Sequence, residues 1–315
     1  MSILLSLSKS LSITISELYR YVNTAPHRYK TYNIRKRNGN GFRQIAQPTP
    51  AIKIIQKEAI EKIIHELPIH ESCMAYVINK SIKDNAELHM GNTYLLKMDF
   101  KDFFPSITPL DLMQHCKKYY SKLDEIDNFV IPKLFFWKPK GMGLRLSIGA
   151  PSSPFISNTI MYDFDCLIFE RTKSMGITYS RYADDLTFTT KQQGILFGIP
   201  ELVKNTCLEI EYPRLTINEE KTIFSSKSNN RHITGIVITN EGKISLGRDR
   251  KRKIKSFVFK CINGNLNEEE IEYLKGNIAF AKNIEPAFFD SLVKKFGHEA
   301  ISVICSHQKG KKLFN

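Results

Sequence analysis

The chain of 315 residues carries 46 Lys and Arg against 32 Asp and Glu, a formal charge of +14 at pH 7. A surplus of that size calls for an anionic partner, with nucleic acid first and an anionic membrane surface second. At 42% hydrophobic and 11% aromatic residues the composition excludes a disordered chain, and no run of about 18 apolar residues is present to span a bilayer.

Residues 1–30 read as helical. Thr14-Ile15-Ser16-Glu17 fits a capping box, and Leu18 and Val22 follow on one face. The stretch 1–15 is mildly apolar, but Lys9 interrupts it and no basic leader precedes it, so a signal peptide is not expected. Residues 33–47 are strand-like about Asn38-Gly39-Asn40-Gly41, the turn of a basic hairpin. Residues 50–67 form a helix whose apolar face is Ile52, Ile55, Ala59, Ile60, Ile63, Ile64 and Leu67, stopped by Pro68. Residues 93–99 alternate like a strand and end on Asp99. A further helix starts near Pro154, buries Ile156, Ile160, Phe164 and Leu167, and ends before Gly176.

Two short alternating runs, 177–181 and 186–190, flank Ala183-Asp184-Asp185 and place the aspartates at a hairpin tip. Residues 233–238 and 243–246 read as a strand pair about Asn240-Glu241-Gly242. From Arg248 onward the pattern is helical, with stops at Asn263-Gly264 and Gly297. Strands in the middle with helices on both sides give an α+β class. The six cysteines (Cys73, Cys116, Cys166, Cys207, Cys261, Cys305) are far apart without CxxC or zinc spacing, and read as reduced thiols of a cytoplasmic protein.

Adjacent aspartates on a tight turn repel one another, so a sequence that keeps them gives them a cation or solvates them. Here the pair follows Tyr182-Ala183 and lies between apolar strands, while Asp99 closes another strand. A carboxylate at a strand end facing a hairpin with two more makes a site for two Mg²⁺ about 3.5–4 Å apart. Mg²⁺ favours a few carboxylates together with substrate phosphates. Asp102, close by, reads as structural or solvated.

The motifs 96–107 (Leu-Lys-Met-Asp-Phe-Lys-Asp-Phe-Phe-Pro-Ser-Ile), 149–154 (Gly-Ala-Pro-Ser-Ser-Pro) and 181–185 (Arg-Tyr-Ala-Asp-Asp) occur in one order. Together they resemble the palm motifs of reverse transcriptases, from about residue 30 to the C-terminus. The resemblance implies a right-hand polymerase fold: N-terminal helices and fingers over 1–92, palm over 93–240, and an RNA-binding helical thumb over 241–315. It implies catalysis by Asp99, Asp184 and Asp185, with Phe100 joining the three in the metal set. It makes Phe104 a steric gate against the ribose 2′-OH, and places Ala150, Lys36, Arg43 and Lys221 about the incoming dNTP. Family members usually carry Gln before the Gly-Ala-Pro-Ser-Ser-Pro segment. Ile148 stands there in this chain, which removes a polar group near nucleotide and template.

Asn85-Ala86-Glu87-Leu88-His89 resembles the Asn-Ala-x-x-His box of bacterial retron reverse transcriptases, and Ile233-Thr234-Gly235 their Val-Thr-Gly triplet. The resemblance implies an enzyme that binds a structured non-coding RNA through residues such as Asn85, His89, Thr234 and Gly235. It primes from an internal guanosine 2′-OH and makes branched RNA–DNA, in antiphage defence with a separate effector protein. Taken singly, Asn85 and His89 also read as helix-capping or buried groups.

Arg248, Arg250, Lys251, Arg252, Lys253, Lys255 and Lys260 crowd one helical stretch with Phe257 and Phe259 among them, a surface for RNA phosphates. Lys309-Gly310-Lys311-Lys312 reads as a basic tail. Two rival readings stand beside this one. A conventional 3′-OH-primed enzyme of group II intron or diversity-generating type leaves the Asn-Ala-x-x-His box without a special reason. An inactive RNA-binding scaffold is opposed by the retention of all three clustered aspartates.

Overall fold

The structure, a computed structural model, describes residues 2–36, 41–120 and 123–307, with the backbone alone at Lys62 and Ile63. In chain order the elements are α1 (Ile3–Leu11), α2 (Ile15–Thr24), β1 (Tyr29–Arg35), β2 (Phe42–Pro48), α3 (Pro50–Ala59), α4 (Ile82–His89), β3 (Tyr94–Asp99) and α5 (Phe103–Ser106). There follow α6 (Pro109–Tyr119), α7 (Asp127–Phe135), α8 (Ser153–Ile160), α9 (Tyr162–Ser174), β4 (Thr178–Tyr182), β5 (Asp185–Thr190), α10 (Ile199–Glu209) and β6 (Ile223–Ser225). The last are β7 (Arg231–Ile233), β8 (Ile236–Ile238), β9 (Ile244–Ser245), α11 (Arg248–Ile262), α12 (Glu268–Ile284), α13 (Pro286–Phe296) and α14 (His298–Ser306). No helix among the described residues is long and apolar enough to cross a membrane.

The chain divides into two compact units, Met1–Lys80 with Leu95–Phe224, and Ser81–Tyr94 with Ser225–Asn315. In the first, a sheet ordered β4-β5-β3-β6 brings the ends of β3 and of the β4–β5 hairpin together. The hairpin β1–β2 is separate and runs in register from Tyr29 opposite Pro48 to Arg35 opposite Phe42. Its turn, read at Asn38–Gly41, lies outside the described residues except Gly41, whose carbonyl accepts from Lys36 N at 3.0 Å. In the second unit α4 packs on β7, β8 and β9, and α11 to α14 pack on one another. Residues 81–94 therefore group with the C-terminal part, whereas the three-lobe reading of the sequence cuts the chain after 92 and after 240. The basic tail at 309–312 lies outside the described residues.

The capping box at Thr14 and Glu17 is present and opens α2. Three readings differ from the structure. The helix from Pro50 changes to a π-helical turn over Ile60–Ile64, which rotates its last turn relative to an ideal apolar stripe. The helix expected from Pro154 onward is two helices that meet at Met161. That break resets the period, so Ile168 is buried and Leu167, the expected core residue, is half-buried. Finally, 233–238 is not one strand. Thr234 (φ 46°) and Gly235 (φ 83°) are both left-handed and form the two-residue turn between β7 and β8. Two consecutive positive φ values make the hairpin turn whose twist matches its strands, and glycine takes the second at no steric cost.

Candidate active site

The β4–β5 hairpin turns through Ala183 and Asp184, with Tyr182 opposite Asp185. Ala183 has φ 57°, a left-handed conformation that costs a non-glycine residue about 1–2 kcal/mol. The turn is held from below by Arg181, a fully buried guanidinium. Its Nη1 donates to the Ala183 carbonyl at 3.1 Å and to Asn158 Oδ1 at 3.4 Å. Its Nε and Nη2 grip both oxygens of Asp165 at 2.6–3.0 Å, and Tyr179 donates its hydroxyl to Asp165 at 2.7 Å. The Arg181 backbone is clamped as well: its N–H donates to Ser72 O at 2.9 Å, and its carbonyl accepts from Met74 N at 2.8 Å. Buried charges persist when paired and fully hydrogen-bonded, and here one pair fixes the base of the aspartate turn. Sequence reasoning misses Asp165. Its only signal is a carboxylate next to Phe164 on an otherwise apolar helix face.

Asp99 ends β3 with 5% exposure, and the next residue, Phe100, donates its N–H to the Asp184 carbonyl at 3.3 Å. The Asp99 carboxylate reaches that of Asp185 within hydrogen-bonding range. Burial, then repulsion from Asp99 and Asp185, pushes Asp184 up to about 6. Burial also raises Asp185; Lys97 draws it down and Asp99 raises it further. Asp99 itself holds a cation, because Lys221 Nζ donates to its Oδ2 at 2.7 Å. Among the described residues, no three His, Cys, Asp or Glu side chains are already arranged as a metal-ligand set. The donor chemistry nevertheless fits a hard divalent cation. Three convergent carboxylates would supply oxygen ligands, and such an ion would relieve the repulsion from Asp99 and Asp185 that raises Asp184.

The expected nucleotide-site residues lie in this same unit. Phe104 on α5 is half-buried and edge-on to Phe103 at 5.3 Å, and Phe103 stacks on Phe100 at 5.7 Å. The 148–150 segment is docked on β2 through the Ile148 carbonyl, which accepts from Ala46 N at 2.9 Å. Gly149 has φ 123°, and a Cβ there would stand 3.1 Å from the Ala46 carbonyl oxygen. This approach seats Ala150, which is buried. Ile148 thus contributes its backbone to the docking, while its side chain is half-buried. Lys36 and Arg43 are exposed, at the end of β1 and on β2.

In the second unit the box on α4 and the Thr234-Gly235 turn adjoin, with Thr234 Oγ1 donating to Ile82 O at 3.4 Å. Asn85 and His89 are wholly buried, and burial drives His89 down to about 3, so its imidazole is neutral. Thr234 is half-buried and Gly235 exposed. Arg231, almost fully buried, donates to the carbonyls of Asn92 and Thr239 and braces the sheet. Nothing in the sequence singles it out. On α11, Arg248, Arg252 and Lys253 are exposed, and Arg250, Lys251 and Lys255 are half-buried. Lys251 is paired with Glu285. Arg250 lies 5.0 Å over Phe280, Lys253 4.6 Å over Tyr273, and Lys255 5.6 Å over Phe288. These cations are ordered by aromatic rings.

The profile of the reverse transcriptase (RNA-dependent DNA polymerase) family matches residues 34–238. The chain is 45% identical over 285 residues to the retron Ec83 reverse transcriptase of Escherichia coli, covering 90% of this chain and 91% of that one. It is 32% identical over 300 residues to the retron Ec73 reverse transcriptase of Escherichia coli, covering 91% and 93%. Among solved structures it is similar to a telomerase from Candida albicans in complex with a telomeric RNA fragment. There the TM-score is 0.46 and the identity 14%, over 90% of this chain and 61% of that one.

Proposed function

The chain belongs to the reverse transcriptase family, in its retron branch, and from that premise we propose that it copies a structured non-coding RNA from an internal guanosine 2′-OH into branched RNA–DNA. It is an RNA-directed DNA polymerase with the α+β fold class of right-hand polymerases. The observation that carries the catalytic part is the convergence of Asp99, Asp184 and Asp185 at the ends of β3 and the β4–β5 hairpin. The retron part is supported by the two branch motifs, which adjoin as α4 and the Thr234-Gly235 turn.

Enzymes of this family generally use divalent metals, and in this reading Asp99, Phe100, Asp184 and Asp185 hold two Mg²⁺. Ions held there would supply Lewis-acid activation of the primer hydroxyl and neutralisation of the leaving pyrophosphate. The protein's own part is positioning. Arg181 fixes the turn that aims Asp184 and Asp185, and Lys36 and Arg43 hold triphosphate oxygens. Ala150 and Phe104 line the sugar side, where the Phe104 ring closes the space a 2′-OH needs. Phe104→Ala should therefore raise ribonucleotide use relative to dNTP by about tenfold or more in single-nucleotide extension. An unchanged ratio reduces Phe104 to a packing residue of the Phe100–Phe103 stack.

RNA is held in this reading by the exposed cations of α11, while buried Asn85 and His89 act by shaping the surface around α4. Arg252→Glu with Lys253→Glu leaves the Lys251–Glu285 pair alone. That variant should weaken RNA binding and lower the salt slope by roughly 0.7–0.9 for each phosphate it no longer neutralises. Binding with an unaltered slope would place the RNA elsewhere. The wider reading includes a cytoplasmic antiphage role with a separate effector protein, by family analogy.

The test is to purify the protein expressed with its neighbouring genomic RNA, beside Asp185→Asn, and to treat the bound nucleic acid with DNase, RNase and a 2′,5′-debranching enzyme. DNA joined to RNA through a debranchable linkage, absent from the variant, is the expected product. Linear DNA would transfer the chain to the 3′-OH-primed class, and RNA alone from both proteins would favour a scaffold.

A further inference from the structure

Of the three carboxylates, Asp99 already has a counter-ion, and the backbone is built to deliver it. The segment after α10 is fastened along the end of β3: Asn218 N donates to Asp99 O at 2.7 Å and Lys101 N to Thr216 O at 2.8 Å. Phe100 pairs with Ile217 between them. A short 3₁₀ turn over Glu219–Lys221 follows, closed by Lys221 N donating to Asn218 O at 3.1 Å. On the surface Lys204 meets Glu219 of that turn at 2.6 Å. These backbone hydrogen bonds place the turn beside β3, and Lys221 extends from it to Asp99 with half of its side chain (52%) exposed, against 7% for Asp99.

We propose that Lys221 is an exchangeable counter-ion of Asp99, which a divalent metal must displace and which an incoming nucleotide triphosphate draws away, so that metal and nucleotide load together. The proposal rests on the reading of these carboxylates as the metal site. An ammonium and a dication compete for the same Asp99 oxygen, so the pair opposes metal entry into the empty site. Because the lysine is half in water, the pair is weak enough to open, which limits that opposition to about fivefold in affinity. A triphosphate bound at these carboxylates would offer the released ammonium several anionic oxygens in place of Asp99. The lysine then shifts from opposing the metal to holding its co-ligand. Metal and nucleotide affinities are thereby coupled, and linkage requires the coupling to be the same in both directions.

The test uses the full chain, Mn²⁺ as the paramagnetic probe, and a dNTP analogue with an unreactive α,β-imido bridge. Free Mn²⁺ is read by electron paramagnetic resonance, with no primer and no turnover. Wild type should bind Mn²⁺ weakly alone and more tightly with the analogue. Lys221→Met keeps the length of the side chain without its charge. It should bind Mn²⁺ about fivefold more tightly in the absence of nucleotide and lose most of the tightening that the analogue brings. Lys221→Arg, which can still pair with Asp99, should behave as wild type. Equal Mn²⁺ affinity in wild type and Lys221→Met, with the same coupling to nucleotide, overturns the exchange. If Asp184→Asn binds Mn²⁺ as wild type does, the metal is not at these carboxylates, and the reading beneath the proposal fails with it.

Discussion

Asp184→Asn should abolish DNA synthesis while making the metal-free protein more stable at neutral pH. The two effects have one cause. Asp184 sits on a turn where burial and the neighbouring charges of Asp99 and Asp185 raise it from 3.8 to about 6. At pH 7 it is ionised against that opposition, so the folded state carries the cost and the unfolded chain does not. Between pH 3.8 and 6 the folded protein binds more protons at this position than the unfolded one. Stability therefore falls as pH rises through that window and stays reduced above it. Asparagine keeps the shape without the charge and should recover up to about 2 kcal/mol, a rise of a few degrees in melting temperature in chelator at pH 7. The gain over wild type should fade as pH is lowered toward 4 and vanish below it, where Asp184 is protonated in the folded state and increasingly so in the unfolded one. Primer extension should fall by about 10³ or more, since loss of a metal-holding carboxylate costs several kcal/mol of transition-state stabilisation. Unaltered synthesis removes Asp184 from the catalytic set. A lower melting temperature in chelator would show that the three carboxylates do not repel as described.

The same residues show what a sequence exposes and what it hides. Asp99, Asp184 and Asp185 are legible because Asp99 ends an alternating run and the other two lie in the short gap between two such runs, where a hairpin must turn. The Thr14–Glu17 capping box is legible because it lies within four consecutive residues. Periodicity reports burial but does not name partners. Lys221 meets Asp99 across 122 positions, and Asp165 meets Arg181 from a different element. Leu167 is misplaced from sequence because nothing in the apolar spacing marks the break at Met161. The Thr234-Gly235 turn reads as strand because apolar Ile233 and Ile236 frame it, although its two left-handed residues reverse the chain. Residues 81–94 give no sign that they pack with 225–315, since that grouping depends on α4 lying on β7 to β9.

Asp165 separates stability from catalysis in a way that Asp99, Asp184 and Asp185 do not. Asp165→Leu leaves the Arg181 guanidinium buried without its carboxylate and strips Tyr179 of its acceptor. Breaking one side of a buried pair costs about 3–5 kcal/mol, which is a large part of what holds a typical domain folded. The single variant should therefore unfold in much less urea and be recovered only in part as soluble protein, so it says little about the turn by itself. Asp165→Leu with Arg181→Met removes both charges and fills similar volume, a replacement that is often neutral for stability. This double variant should regain most of the urea midpoint. It should still extend primers at least about tenfold more slowly, because nothing then donates from position 181 to the Ala183 carbonyl or to Asn158. The left-handed Ala183 loses its brace, and the two aspartates beyond it are no longer aimed. A double variant that is both stable and fully active would limit the buried pair to stability. A stable but slow one assigns Arg181 and Asp165 to positioning the catalytic turn, from a place that no substrate touches.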